Sequence, residues 1–228
     1  MKRKLIVVAA VIAAFAGGVF LYNWYVERQL DKADNEGYAS VQTFFKLIGN
    51  GVPDKSQYPA ISAEIVKMSE ISTRCREDVR QLLLLRRMDG AFIVGDFEGA
   101  EKLMDEYTER SEVWRNGAKA KIRAHAAIVK GDNRKAVAEL EAFVKMVVDE
   151  PGMDVELDPS TNEEWSREMI VAKNYFRLAL LASAYDQQAA EGYAAKAKEY
   201  VEKARKFADG DKQMLATIDR IVAEADKP

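Results

Sequence analysis

The chain has one cysteine, one histidine and five prolines among 228 residues. A lone thiol, Cys75, excludes an internal disulfide, a cysteine zinc cluster and a CxxC redox pair. A lone imidazole, His125, leaves room for at most one Ser-His-Asp relay. The chain also lacks a Gly-rich phosphate loop, H-E-x-x-H, a nucleophile elbow and a kinase signature, so the expectation is a non-enzyme without cofactor, metal or small-molecule substrate. An excess of positive charge is missing too. Beyond residue 26, 31 Lys+Arg interleave with 37 Asp+Glu, which leaves no basic stripe for a nucleic-acid partner.

Long apolar runs are absent with one exception, Leu5 to Val26, which follows Met1-Lys2-Arg3-Lys4 and contains no charge. As a helix it would reach about 33 Å against a hydrocarbon core of about 30 Å. Three bases precede it, and Tyr22, Trp24 and Tyr25 stand at its far end. That pattern predicts a signal anchor over 1–26, with membrane contact through residues 5–26. The expected localisation is a single-pass protein of the bacterial inner membrane, its N-terminus cytoplasmic and its C-terminal domain periplasmic or extracellular. Cleavage after Ala14-Phe15-Ala16 is the competing reading. It would leave ten mostly apolar residues attached to a water-exposed domain, so the anchor is preferred.

What remains reads as all-α: long segments rich in Ala, Leu, Glu and Lys, with apolar residues at three- and four-residue steps and no strand alternation. The first helix is expected to run to Ile48, where Gly49-Asn50-Gly51-Val52-Pro53-Asp54 stops it. Ile61, Ile65, Met68, Cys75, Val79 and Leu82 keep heptad phase, so residues 59–94 are compatible with one helix or two. Residues 211–226 predict a capping helix with Leu215, Ile218, Val222 and Ala225 on one face.

An internal echo is the most specific feature of this part. Gly95-Asp96-Phe97-Glu98-Gly99-Ala100 returns 36 residues later as Gly131-Asp132-Asn133-Arg134-Lys135-Ala136. Gly can close one helix in a left-handed conformation, Asp can cap the next, and a small Ala lets paired helices approach. Ala100 and Ala136 are therefore expected to be buried. A more degenerate copy has Leu178, Leu181-Ala182 and Tyr185, then Ala197, Val201 and Ala204.

These copies resemble tetratricopeptide (TPR) repeats, helical hairpins with a period near 34. Leu84, Arg87, Met88 and Ala91, and again Ala120, Arg123, Ala124 and Ala127, depart from the residues the family favours. The resemblance implies an α-solenoid of hairpins over 81–210, behind an N-terminal helical segment at 27–80 and before a cap at 211–228. It implies a concave groove for a partner peptide or helix, lined by Leu85, Asp89, Phe92, Lys121, His125, Ile128, Ser183 and Asp186. The expected function is a membrane-anchored, extracytoplasmic interaction scaffold, similar in plan to TPR subunits of bacterial envelope complexes. The alternatives are an exported all-α hydrolase or ligand-binding protein with a pocket at His125, and a structural spacer.

One stretch invites a metal reading. Asp149 to Glu164 carries seven acidic residues and no basic one, but Pro159 and Trp165 stand where an EF-hand loop needs Gly and Glu. A solvated linker is expected, ending at a capping box that starts at Ser160 or Thr161.

Overall fold

The computed structural model describes the backbone of residues 2–48, 53–149 and 163–225, and the side chains of 21–48, 53–149 and 167–223. Every regular element among them is helical: α1 (Lys2–Ile48), a short 3₁₀ turn (Lys55–Gln57), α2 (Tyr58–Ser72), α3 (Glu77–Val94), α4 (Phe97–Glu106), α5 (Glu112–Val129), α6 (Asn133–Asp149), α7 (Glu163–Ala182), α8 (Gln187–Phe207) and α9 (Lys212–Ala225). They fall into two compact units, Met1–Tyr107 and Thr108–Pro228. The division cuts through the expected 81–210 repeat region.

The all-α class holds, but its membrane component needs correction. Among the described residues no helix is long and apolar enough to cross a membrane, which overturns the expected transmembrane helix and the single-pass inner-membrane localisation. The physical reason lies in the described part of α1. Glu27, Arg28, Asp31, Lys32, Asp34 and Glu36 follow one another along it, and its last turns are packed into protein. The side chains of residues 5–20, including the Ala14-Phe15-Ala16 motif, lie outside the described residues. The acidic stretch over 150–162 and its proposed capping box lie outside them as well.

In the first unit, Val41 and Phe44 of α1 join Ile61, Met68 and Ile71 of α2 and Val79 and Leu83 of α3 in one core. The helices pack closely because two contact points lack a side chain. A Cβ on Gly37 would come within 2.8 Å of Val79 Cγ1, and one on Gly90 within 2.8 Å of Ile65 Cδ1. Residues 59–94 form two helices, despite the heptad phase. The break is fixed from outside: Arg76 donates its backbone N–H to Asp34 Oδ1 at 3.0 Å, and its guanidinium reaches Asp31 at 2.8 Å, Asp34 at 2.5 Å and Glu27. This clamp holds the α2–α3 turn to α1 with Arg76 extended at φ −66°, ψ 160°.

The Gly-Asp echo is a double hydrogen-bonded device. Gly95 N–H bonds Phe92 O at 3.1 Å and Asp96 N–H bonds Ala91 O at 2.8 Å; Gly131 to Ile128 and Asp132 to Ala127, both 2.9 Å, repeat it. These are the two bonds of a Schellman stop, and they require the positive φ found at Gly95 (86°) and Gly131 (74°). The same Asp then starts the next helix: Asp96 Oδ1 accepts from Gly99 N–H at 2.9 Å and Asp132 Oδ1 from Lys135 N–H at 3.1 Å. Ala100 and Ala136, as expected, are fully buried.

In the second unit α7 lies at the centre. Val171 and Leu178 pack with Ala120, Ala124, Leu140 and Phe143 of α5 and α6, while Met169 and Ala172 pack with α8 and Ile218 of α9. Two further turns use the same start signal. Asp186 caps α8 through Ala189 N–H at 2.9 Å. Asp211, after Gly210 at φ 83°, caps α9. The expected terminal helix is present, with Ile218 fully buried and Arg205 of α8 bonded to Asp219 at 2.9 Å.

Candidate functional site

Tyr193, Lys196, Tyr200 and Lys203 follow a three-four-three spacing along α8 and so share one face. That face lies on Tyr175 of α7. Tyr175 stacks with Tyr193 (ring centroids 6.4 Å, planes 26° apart) and with Tyr200 (5.7 Å, 29°). Lys196 Nζ sits 5.4 Å from the Tyr175 ring centre and Lys203 Nζ 4.1 Å from that of Tyr200, within cation–π range. From α6, Glu141 accepts the Tyr193 hydroxyl proton at 2.5 Å. Burial, then the adjacent Glu141 carboxylate, push the Tyr193 phenol far above its usual range. It therefore stays a donor.

Beside this ladder lies an open cleft of about 410 Å³, a volume within the range of small-ligand and side-chain pockets. Val144, Val148, Lys145, Glu141 and Asp149 of α6 form one wall, Tyr175 the floor and Lys196 of α8 the other wall. Val148 is 38% exposed while Val144 is buried. The cleft thus combines an apolar strip with two ammonium groups, Lys145 and Lys196, and two carboxylates, Glu141 and Asp149. It can hold an amphipathic group by burial and charge. Among the described residues, no group of three or more His, Cys, Asp and Glu side chains is placed to hold a metal.

The residues expected to line a groove are distributed over both units. On α3, Asp89 pairs with Arg86 at 2.7 Å, and burial raises its carboxyl above the usual range. Leu85 is half-buried, and Phe92 meets Phe97 edge-on at 5.5 Å. On α5, Lys121 and His125 are half-buried and Ile128 is 38% exposed. Lys121 Nζ lies 5.8 Å from the Phe143 ring. Burial, followed by the charges of Arg177 and Lys121, lowers the His125 pKa, so the ring is neutral at pH 7.

Ser183 and Asp186 belong to a turn. Ser183 donates to Leu180 O at 2.7 Å and Asp186 caps α8. The buried alanines before each turn, Ala91, Ala127 and Ala182, align the three hairpins. In that alignment the counterpart of His125 is Leu180, 70% exposed, and Ser183 is the counterpart of Ile128. Apart from Asp149, where the acidic stretch begins, sequence reasoning singled out none of the cleft residues. The available signal was Tyr193-x2-Lys196-x3-Tyr200-x2-Lys203, a periodic aromatic-basic face on a helix otherwise rich in Ala, Glu and Lys.

No family model matches the chain, and no curated protein or solved structure is similar enough to count as a relative.

Proposed function

We propose that the chain is a protein-interaction scaffold made of successive helical hairpins, and that the α6–α8 cleft is a docking point on it. The cleft carries this reading: two helices of different hairpins leave Val148 and two ammonium groups facing solvent over a tyrosine floor. Helical hairpins suit such a task because their rigid turns fix side chains on neighbouring helices without a loop having to order on binding. The finer reading is that the hairpins are TPR-like. It is supported by the twice-built Gly-Asp turn 36 residues apart and by the buried alanine four residues after each Asp. The test is co-purification from the native source with the full chain and with Val148→Trp, which fills the cleft from its solvent side. Partners recovered with the wild type and lost with an equally stable Val148→Trp support docking there. Equal recovery with both moves the docking point elsewhere.

A further inference from the structure

We infer that the α6–α8 cleft receives an acidic, aliphatic segment of a partner protein, its carboxylates paired with Lys145 and Lys196 and its aliphatic side chains laid against Val144 and Val148. This rests on the docking reading above and names the chemistry of the occupant.

Charge pairing within the helices leads to it. Two bases on α8 take a carboxylate one turn away: Lys203 bonds Glu199 at 2.8 Å and Arg205 bonds Glu202 at 2.7 Å. Lys145 has Glu141 four residues before it, the favourable orientation for a helical ion pair. Glu141 accepts from the Tyr193 hydroxyl instead. Lys196 has Glu199 three residues on, but that carboxylate is held by Lys203, and Lys196 lies over the Tyr175 ring instead. Asp149, the remaining acid on the cleft, follows Lys145 by four, the poorer orientation, and lies beyond ion-pair distance of it. Among the described residues neither Lys145 nor Lys196 makes an ion pair, while each has a carboxylate one turn away that another side chain occupies. Two ammonium groups that line one cleft with Val144 and Val148 complement a segment carrying both acidic and aliphatic side chains.

The test uses the full chain and three acetylated hexapeptides, (Asp-Leu)3, (Asn-Leu)3 and (Lys-Leu)3, titrated to millimolar concentration by calorimetry at low and at physiological salt. The expected result is that (Asp-Leu)3 binds at least about tenfold more tightly than the other two and weakens as salt rises. It should weaken about tenfold with Lys145→Gln/Lys196→Gln, a pair of exposed positions whose neutralisation leaves the melting temperature in place. No binding of (Asp-Leu)3, equal binding of (Asn-Leu)3, stronger binding of (Lys-Leu)3, or no effect of the double substitution overturns the inference. Partners lost with Val148→Trp but retained with Lys145→Gln/Lys196→Gln leave the docking reading standing and remove the acidic occupant. Partners retained with both substitutions remove the docking reading itself.

Discussion

His125 is the only side chain whose ordinary pKa lies between pH 6 and 7, which makes its titration separable from the rest of the molecule. In the unfolded chain it takes up a proton near pH 6.5. In the folded chain, burial and then Arg177 and Lys121 hold that pKa lower. Between the two values the unfolded state binds more protons, so the contribution is complete above about pH 6.5 and is lost as pH falls through the folded value. We expect the melting temperature to drop from about pH 7.5 to about pH 5.5, and His125→Gln to flatten the dependence. Asp89, whose carboxyl is raised by burial, acts with the opposite sign at lower pH. An unchanged slope in the His125→Gln protein would show that its environment is not the one described. Arg76 gives a second prediction. Glu27 and Asp31 are exposed while Asp34 is buried, so Arg76→Ala should lower the melting temperature more than Glu27→Ala or Asp31→Ala. Thermal melts of the three proteins check that order.

At the level of the helices, stops and starts were the most readable part of the sequence because their chemistry is local. Gly95-Asp96 and Gly131-Asp132 predict a turn from adjacent residues, and the bonds that form it span five residues or fewer. Asp96→Ala or Asp132→Ala should cost about 0.5–2 kcal/mol as a lost cap. Ala100→Leu or Ala136→Leu should cost about 1–3 kcal/mol by overpacking a fully buried contact. Chemical denaturation of the four single variants measures both, and unchanged midpoints for Ala100→Leu and Ala136→Leu would remove the helix crossing assigned to them. Gly210-Asp211 shares the positive φ and the capping Asp but not the stop, since Asp211 N–H bonds Ala208 O at 2.9 Å, and it falls outside the 36-residue spacing. The break between α2 and α3 is hidden for another reason: Asp34, 42 residues away, fixes it. The cleft is hidden in the same way, since Glu141 and Tyr193 are 52 residues apart and Tyr175 lies on a third helix. Heptad phase and local motifs carry no information about pairings at such separations.

For the molecule as a whole, the cores divide as the chain does. Val41, Phe44, Ile61 and Leu83 pack within the first unit, whereas Phe143, Val171, Leu178 and Ile218 pack within the second. Phe44→Ala and Phe143→Ala should each cost about 3–5 kcal/mol. Hydrogen exchange should locate the loss up to residue 107 in the first case and from residue 108 in the second. Exchange rising across the entire chain in both proteins would mean that the two cores unfold as one. The junction at Gly95-Asp96, built again at Gly131-Asp132, also bears on how such a chain changes over generations. One residue pair ends a helix and begins the next, and it needs nothing from distant sequence to do so. A gene segment copied from one such junction to the next brings its own termination and initiation signals with it. Recombination at those points inserts or removes a complete pair of helices in register, so descendants of this chain can differ in length by whole hairpins while keeping the ends that were joined.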